Sequence, residues 1–341
     1  MFNFCKDTFF KNIYLFLIIV FLLTALSGCG KKVDQEAVHP VGENMPPAAK
    51  YSCPLDGAPI NEIPVRPIAV TIDNFSSARP QSGLDQADLV YEVPVEGGIT
   101  RYLAIFFHGE AKTIGPVRSA RPYLIDLARE WDAVYIHVGQ SPQAQAYFAQ
   151  NKIAHINEML HSSGFWRDKS RKAPYNLYTG TDSLWQEINK LGLNKKVSPE
   201  GYSFRKESEG FAGKTAKKLI ISYPYGRVGY QYDANTGTYL RFLNNSPYKD
   251  AISGIQLSVA NVLIQQVSIR PFDSEGRLEV GLIGKGRALL FSDGQVQEGT
   301  WQKDSTTHRT RFYDQTGVEM QMKTGKTWIQ LISGQLQVSY Q

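Results

Sequence analysis

The chain has 341 residues, 42% of them hydrophobic and 20% charged, with 37 Lys+Arg against 32 Asp+Glu for a net charge of +5. That length fits about two domains with proper cores, and ordinary Gly, Pro and Cys usage excludes a disordered chain, a collagen-like repeat and a disulfide scaffold. A mean hydropathy of −0.29 excludes a multi-span membrane protein, and the charge is too mild to argue for a nucleic-acid partner.

Residues 1–12 carry Lys6 and Lys11 against Asp7, and an unbroken apolar run, Ile13 to Leu26, follows. As a helix that run rises about 21 Å, short of the roughly 30 Å hydrocarbon core. A basic start, a short apolar stretch and then small residues read as a secretory signal, 1–28, and not as a permanent span. The run closes on Leu26-Ser27-Gly28-Cys29, which resembles the lipobox of bacterial lipoproteins. That resemblance implies cleavage before Cys29, lipidation of its sulfur, and a lipid anchor on the outer face of a bacterial cell membrane. Cys5 leaves with the signal, so Cys53 has no partner for a structural disulfide. It reads as an incidental cysteine.

Residues 29–53 form the lipidated cysteine and a tether: 30–50 has no apolar period and contains three prolines. Order is expected to begin near Pro54. From 54 to 197, strands are expected at 65–73, 101–108, 133–138 and 153–156. Helices are expected at 122–131 and from Ser141-Pro142 onward, with a shorter one at Leu184–Leu191 that Gly192 ends. This alternation predicts an α/β layered domain with parallel neighbours. From 198 to 341 the helical periods nearly vanish, and turn signals such as Asn235-Thr236-Gly237 and Asp293-Gly294 separate segments such as TYLRFL, NVLIQQVSI and TWIQLI. That half is a β-rich domain of hairpins, so the expected class is α+β overall.

Familiar catalytic signatures fail. Gly325-Lys326-Thr327 lacks the upstream glycine of a phosphate loop, and Ser246-Pro247-Tyr248-Lys249 lies in a turn-like segment instead of opening a buried helix. The histidines show no metal-ligand spacing, so neither a metal nor a cofactor is expected. His137, on a strand, reads as a core histidine. What remains is a polar cluster in the first domain: Asp73 and Asn74 at a strand end, Arg79, Glu92, Glu96, Arg101, and Arg118 and Arg121 at a helix start. Outward N–H groups and two guanidiniums there suit a phosphate or carboxylate. Three readings stand side by side. In one, Arg118 and Arg121 pair with Glu92, Glu96 or Asp126 as scaffolding. In the second, the cluster binds an anion or a glycan. In the third, Asp73 or Glu96 is the base of a hydrolase acting on wall polymer or a phosphodiester.

The blocks RPIAVTIDN (66–74), ARPQSGLDQADLVYE (78–92), VEGGITRYLAIF (95–106), IGPVRSARPY (114–123) and APYNLYTG (173–180) together resemble the YerB-like lipoprotein family, a two-domain family of unknown function. The second half resembles its second domain through GKGRALLFSDGQVQEGTWQK (284–303) and GKTWIQL (325–331). The resemblance implies a bacterial surface lipoprotein without an established activity, and adds Asn176 to the candidate ligand-binding residues. Tyr175 and Tyr248 stand where the family pattern carries His, and tyrosine cannot shuttle protons near neutral pH without a large pKa shift. Binding is therefore favoured over catalysis. The expected partners are the membrane, through the anchor, and a cell-wall polymer or envelope protein; a non-catalytic adaptor for a membrane protein complex is the remaining alternative.

Overall fold

A computed structural model describes residues 49–62, 66–197 and 199–341. The signal sequence and Cys29 lie outside the described residues. Among the described residues, no helix is long and apolar enough to cross a membrane. Tyr51–Ser52 pairs with Pro59–Ile60, so the end of the expected tether is one arm of a hairpin, and Cys53 inside its turn is buried.

The fold is mostly β. In the first half, β1 (Ile68–Asp73), β2 (Leu89–Pro94) and β3 (Thr100–Phe106) precede α1 (Pro122–Arg129), β4 (Val134–His137), α2 (Pro142–Gln150) and β5 (His155–Asn157). A small hairpin, β6 (Phe165–Arg167) and β7 (Leu177–Thr179), leads to α3 (Thr181–Lys190). Sequence accounts for the helix starts: Pro122 fits the first turn of α1, and the Ser141 hydroxyl caps α2 by accepting from the Ala144 N–H at 3.2 Å. The neighbours are mixed and not simply parallel. β2–β3–β1 pair antiparallel, while β1–β4–β5 pair parallel.

The second half contributes β8 (Lys218–Tyr223), β9 (Gly226–Asp233), β10 (Thr238–Leu243), β11 (Asn261–Pro271), β12 (Gly284–Ser292), β13 (Gln295–Lys303), β14 (Thr327–Ser333) and β15 (Val338–Tyr340). Asp293 and Gly294, at φ +49° and +71°, join β12 to β13 as a two-residue hairpin turn with both central residues left-handed. Strand β14 runs parallel to both β11 and β2, with Thr327–Gln330 against Leu89–Glu92. One sheet of 12 strands, including the path β13-β12-β11-β14-β2-β3-β1-β4-β5 with β5 at its edge, therefore passes through both halves. A second sheet carries β10-β9-β8-β15. Residues Ala49–Gln341 form one compact unit.

Side chains on the large sheet alternate between two cores, as the two-residue strand period requires. Val70, Val90, Ile264 and Trp328 join Leu219, Ile221 and Tyr230 of the second sheet on one face. Ala69, Tyr91, Leu263 and Ile329 join Leu124, Leu127 and Trp131 at and after α1 on the other.

His137 of β4 is fully buried, as a core histidine should be. Its Nδ1 lies 2.8 Å from the Gly139 carbonyl and its Nε2 3.0 Å from His155 Nδ1, and its ring stacks on Phe148 at 5.2 Å. Burial lowers its pKa to about 4, helped by the neighbouring His155. The native state thus resists a proton that the unfolded chain accepts below about 6.5, so stability is present above that pH and is lost as pH falls toward 4. The loss is expected to reach about 3 kcal/mol. Urea unfolding at pH 7 and pH 4.5 checks it, and His137→Gln should flatten the difference.

Candidate functional site

The polar cluster forms where β1, β2 and β3 end. Asp73 closes β1, and its Oδ2 accepts from Arg118 Nε at 2.5 Å while Oδ1 accepts the Phe75 N–H at 2.9 Å. The Arg118 guanidinium lies 4.9 Å over the Tyr175 ring, which stacks on Phe75 at 5.5 Å. Asn74, fully buried, donates from Nδ2 to Thr100 Oγ1 at 2.7 Å and to Glu92 at 3.3 Å; its Oδ1 accepts from Arg79 Nε at 2.9 Å. Arg79 also covers the Tyr225 ring at 4.8 Å.

Glu96 receives a two-pronged contact from Arg121, with Nε at 2.5 Å and Nη2 at 3.2 Å. Burial pushes the Glu96 carboxyl upward, but the bonded guanidinium outweighs it and holds the acid below its usual range. Arg101 donates to the Ser119 carbonyl at 2.9 Å, and its buried Nε has no partner. Asn176 stands apart, accepting from Arg167 at 3.1 Å. The sequence-selected residues thus divide into Asp73–Arg118, Asn74–Arg79 and Glu96–Arg121 groupings, with Arg101 beside the third. Arg118 takes Asp73 as its partner, a pairing outside the three carboxylates considered for it. Tyr248, one of the two departures from the family pattern, is buried and donates to Gln81 Oε1 at 2.5 Å.

Of this set, Arg121 borders an open groove. That groove, 320 Å³, runs between the start of α1, the start of α2 and the Phe272–Val280 segment of the second half. Tyr123 and Gln143 line it, and the Tyr123 hydroxyl and Gln143 Oε1 are buried there without a hydrogen-bond partner, while Gln143 Nε2 donates to Asp273 at 3.3 Å. Phe272 is 59% exposed on the opposite wall. The charges that line the groove cancel, Arg121 and Arg277 against Asp126 and Glu279. A neighbouring groove of 530 Å³, bordered by Gly97, Gly98, Tyr223 and Leu336, shares Leu278 with it.

A third groove, 590 Å³, has the opposite electrostatic character. Arg66, Arg129, Lys152, Lys195, Lys196 and Arg309 line it. Two of its acids are tied to bases inside or beside it: Asp132 to Arg66 and Lys195, and Glu200 to Arg311. Sequence reasoning missed both this groove and the contributions of Tyr123, Gln143 and Phe272. No local signal marks them, because each groove joins segments more than 100 residues apart.

Comparison with known proteins places the chain in a family. Residues 56–194 match the N-terminal domain, and 219–329 the C-terminal domain, of the protein of unknown function DUF3048. The chain is 33% identical over 300 residues to YerB of Bacillus subtilis (strain 168), named as a lipoprotein, covering 84% of this chain and 87% of that one. It also resembles the crystal structure of the YerB protein from Bacillus subtilis, with a TM-score of 0.77 and 30% identity over 85% of this chain and 100% of that one.

Proposed function

The chain belongs to the YerB-like DUF3048 family, and from that premise we propose that it is a lipid-anchored protein on the outer face of the bacterial membrane that binds a cell-wall glycan in the groove at the start of α1. The observation that carries this reading is an exposed aromatic ring, Phe272, facing Tyr123 and Gln143 across one 320 Å³ groove; Tyr123 Oη and Gln143 Oε1 are buried without a hydrogen-bond partner just beneath its wall, where a side-chain rotation would bring them to a sugar. Sugars present hydroxyls to polar side chains and a flat apolar face to a ring. Balanced lining charges favour a neutral or weakly charged sugar over a phosphate. Arg121, already engaged by Glu96, acts as a fixed wall and not as an anion hook.

Catalysis is the weaker reading. A general acid or base works best with a pKa near the operating pH, and Glu96 is held below the ordinary carboxylate range. Asp73 is 2% exposed and bonded to Arg118.

The test is a thermal-shift panel on the full-length protein with muropeptides, wall-glycan fragments and teichoic-acid fragments. At 100 times its dissociation constant a ligand adds about 2.7 kcal/mol, which is several degrees of melting temperature. Muropeptides or glycan fragments are expected to stabilise the protein, and Tyr123→Phe with Gln143→Ala is expected to weaken that binding about tenfold. A flat panel would defeat the reading. A hit with teichoic-acid fragments alone, lost in Lys195→Ala with Lys196→Ala, would instead favour the basic groove and an anionic wall polymer, a reading supported by its cationic lining.

A further inference from the structure

Cys53 and Asp56, Asp88, and His108 come from three separate segments but meet beside the large sheet. Cys53 and Asp56 lie in the turn of the first hairpin, Asp88 directly precedes β2, and His108 follows β3. Donor atoms of Cys53, Asp56 and His108 lie within 4.8 Å of one another. His108 Nε2 is 3.0 Å from Asp56 Oδ2 and 3.1 Å from Asp88 Oδ1. In a tetrahedral site with metal–nitrogen and metal–oxygen bonds of about 2.0–2.1 Å, neighbouring N and O ligands stand about 3.3 Å apart.

The carboxylates are aimed by partners outside the cluster. Asp88 Oδ2 accepts the backbone N–H groups of Phe107, His108 and Gly109 at 2.6, 3.0 and 3.1 Å, leaving Oδ1 turned toward the imidazole. Gly109 makes that approach feasible, since a Cβ there would stand 2.2 Å from the Gln86 carbonyl and 3.0 Å from Asp88 Oδ1. Asp56 Oδ1 is held by the Ala58 N–H at 3.0 Å, and the Asp56 carbonyl accepts from Gly325 at 2.7 Å, fixing the hairpin turn to the loop before β14. Such outer contacts orient ligands and tune affinity in metal sites. Cys53, Asp56 and Asp88 are at most 4% exposed, whereas the His108 side chain is 31% exposed and gives an entry path.

We propose that Cys53 Sγ, Asp56 Oδ2 and His108 Nε2 form a binding site for a divalent transition metal of the zinc class, with Asp88 Oδ1 beside the imidazole. One thiolate, one imidazole and one carboxylate, with the fourth position left to water, suit a borderline-soft tetrahedral ion. On binding, the Cys53 S–H bond breaks, the sulfur lone pair forms the metal bond and the proton leaves to solvent. An imidazolium His108 releases a second proton in the same way. Because the ligands must shed their protons to bind, metal affinity falls as pH drops. The site shares no residue with the glycan groove.

The probe is Co²⁺ titrated into reduced full-length protein. The expected result is a thiolate-to-cobalt charge-transfer band in the near ultraviolet that saturates at about one equivalent and is displaced by Zn²⁺. Cys53→Ser should abolish the band, and His108→Gln, at a partly exposed position, should keep the fold while weakening cobalt at least tenfold. Absence of the band in the unaltered protein would overturn the proposal whatever the variants do. So would a band that survives Cys53→Ser, which would place the metal on Cys5 or Cys29.

Discussion

Replacing Arg241 with alanine is expected to cost about 3–5 kcal/mol of folding stability, the usual penalty for leaving a buried charge without its partner. Arg241 lies on β10 of the second sheet at 1% exposure, and Glu92 on β2 of the large sheet is fully buried. Arg241 Nη2 bonds Glu92 Oε2 at 2.7 Å and the Tyr102 hydroxyl at 3.2 Å, and Nη1 bonds Tyr230. The guanidinium lies 4.3 Å over Trp328 and 5.4 Å over Tyr248. Without it, Glu92 keeps Thr100 at 2.8 Å and Tyr225, but loses its only cation within ion-pair distance among the described residues. Urea unfolding should show a lower midpoint at an unchanged slope. The double variant Arg241→Met with Glu92→Gln should recover much of the loss, because neither partner is then left as an isolated charge. A loss below 1 kcal/mol for Arg241→Ala would mean that water reaches Glu92.

Lys303→Ala is expected to cost a similar amount, about 3–5 kcal/mol, for the same reason at the opposite face. Lys303 ends β13 with a side chain at 0% exposure and bonds Glu130, also at 0%, at 2.7 Å. Glu130 directly follows α1 and also accepts from the Thr310 N–H at 3.0 Å, the Thr310 hydroxyl at 2.9 Å and the Tyr91 hydroxyl. These contacts fix the end of α1 against the second half of the chain, so the damage should extend to the groove at its start. Lys303→Met retains the aliphatic stem but still strands the carboxylate, and should lie close to Lys303→Ala. The further change Glu130→Gln should relieve it. Denaturant unfolding of the parent, Lys303→Met, Glu130→Gln and the double variant closes the cycle.

The parts of the fold that were legible in the sequence are those specified locally. TYLRFL became β10 residue for residue, and Asp293-Gly294 marked a hairpin because its backbone conformation demands such residues. Ser141-Pro142 and Pro122 marked helix starts for equally local reasons. The parallel pairing of Thr327–Gln330 with Leu89–Glu92 was invisible, since strands more than 200 residues apart leave no periodic trace of each other. The polar cluster was legible in its membership but not in its pairings. A string shows that Arg118, Asp73 and Glu96 are present; only the fold decides that Arg118 meets Asp73 while Arg121 takes Glu96. The same limit hid the Cys53–His108 meeting, because metal-ligand spacing is a local rule and this set is assembled from three separate segments.

The most direct measurement for the central claim is a crystal structure of the protein soaked or grown with a muropeptide disaccharide. The account predicts sugar density in the groove between α1 and Phe272, with a ring face against Phe272 and hydroxyls within hydrogen-bond reach of Gln143 or Tyr123. Density confined to the basic groove at Lys195 and Lys196, or a groove at α1 holding only water at saturating sugar, would contradict it.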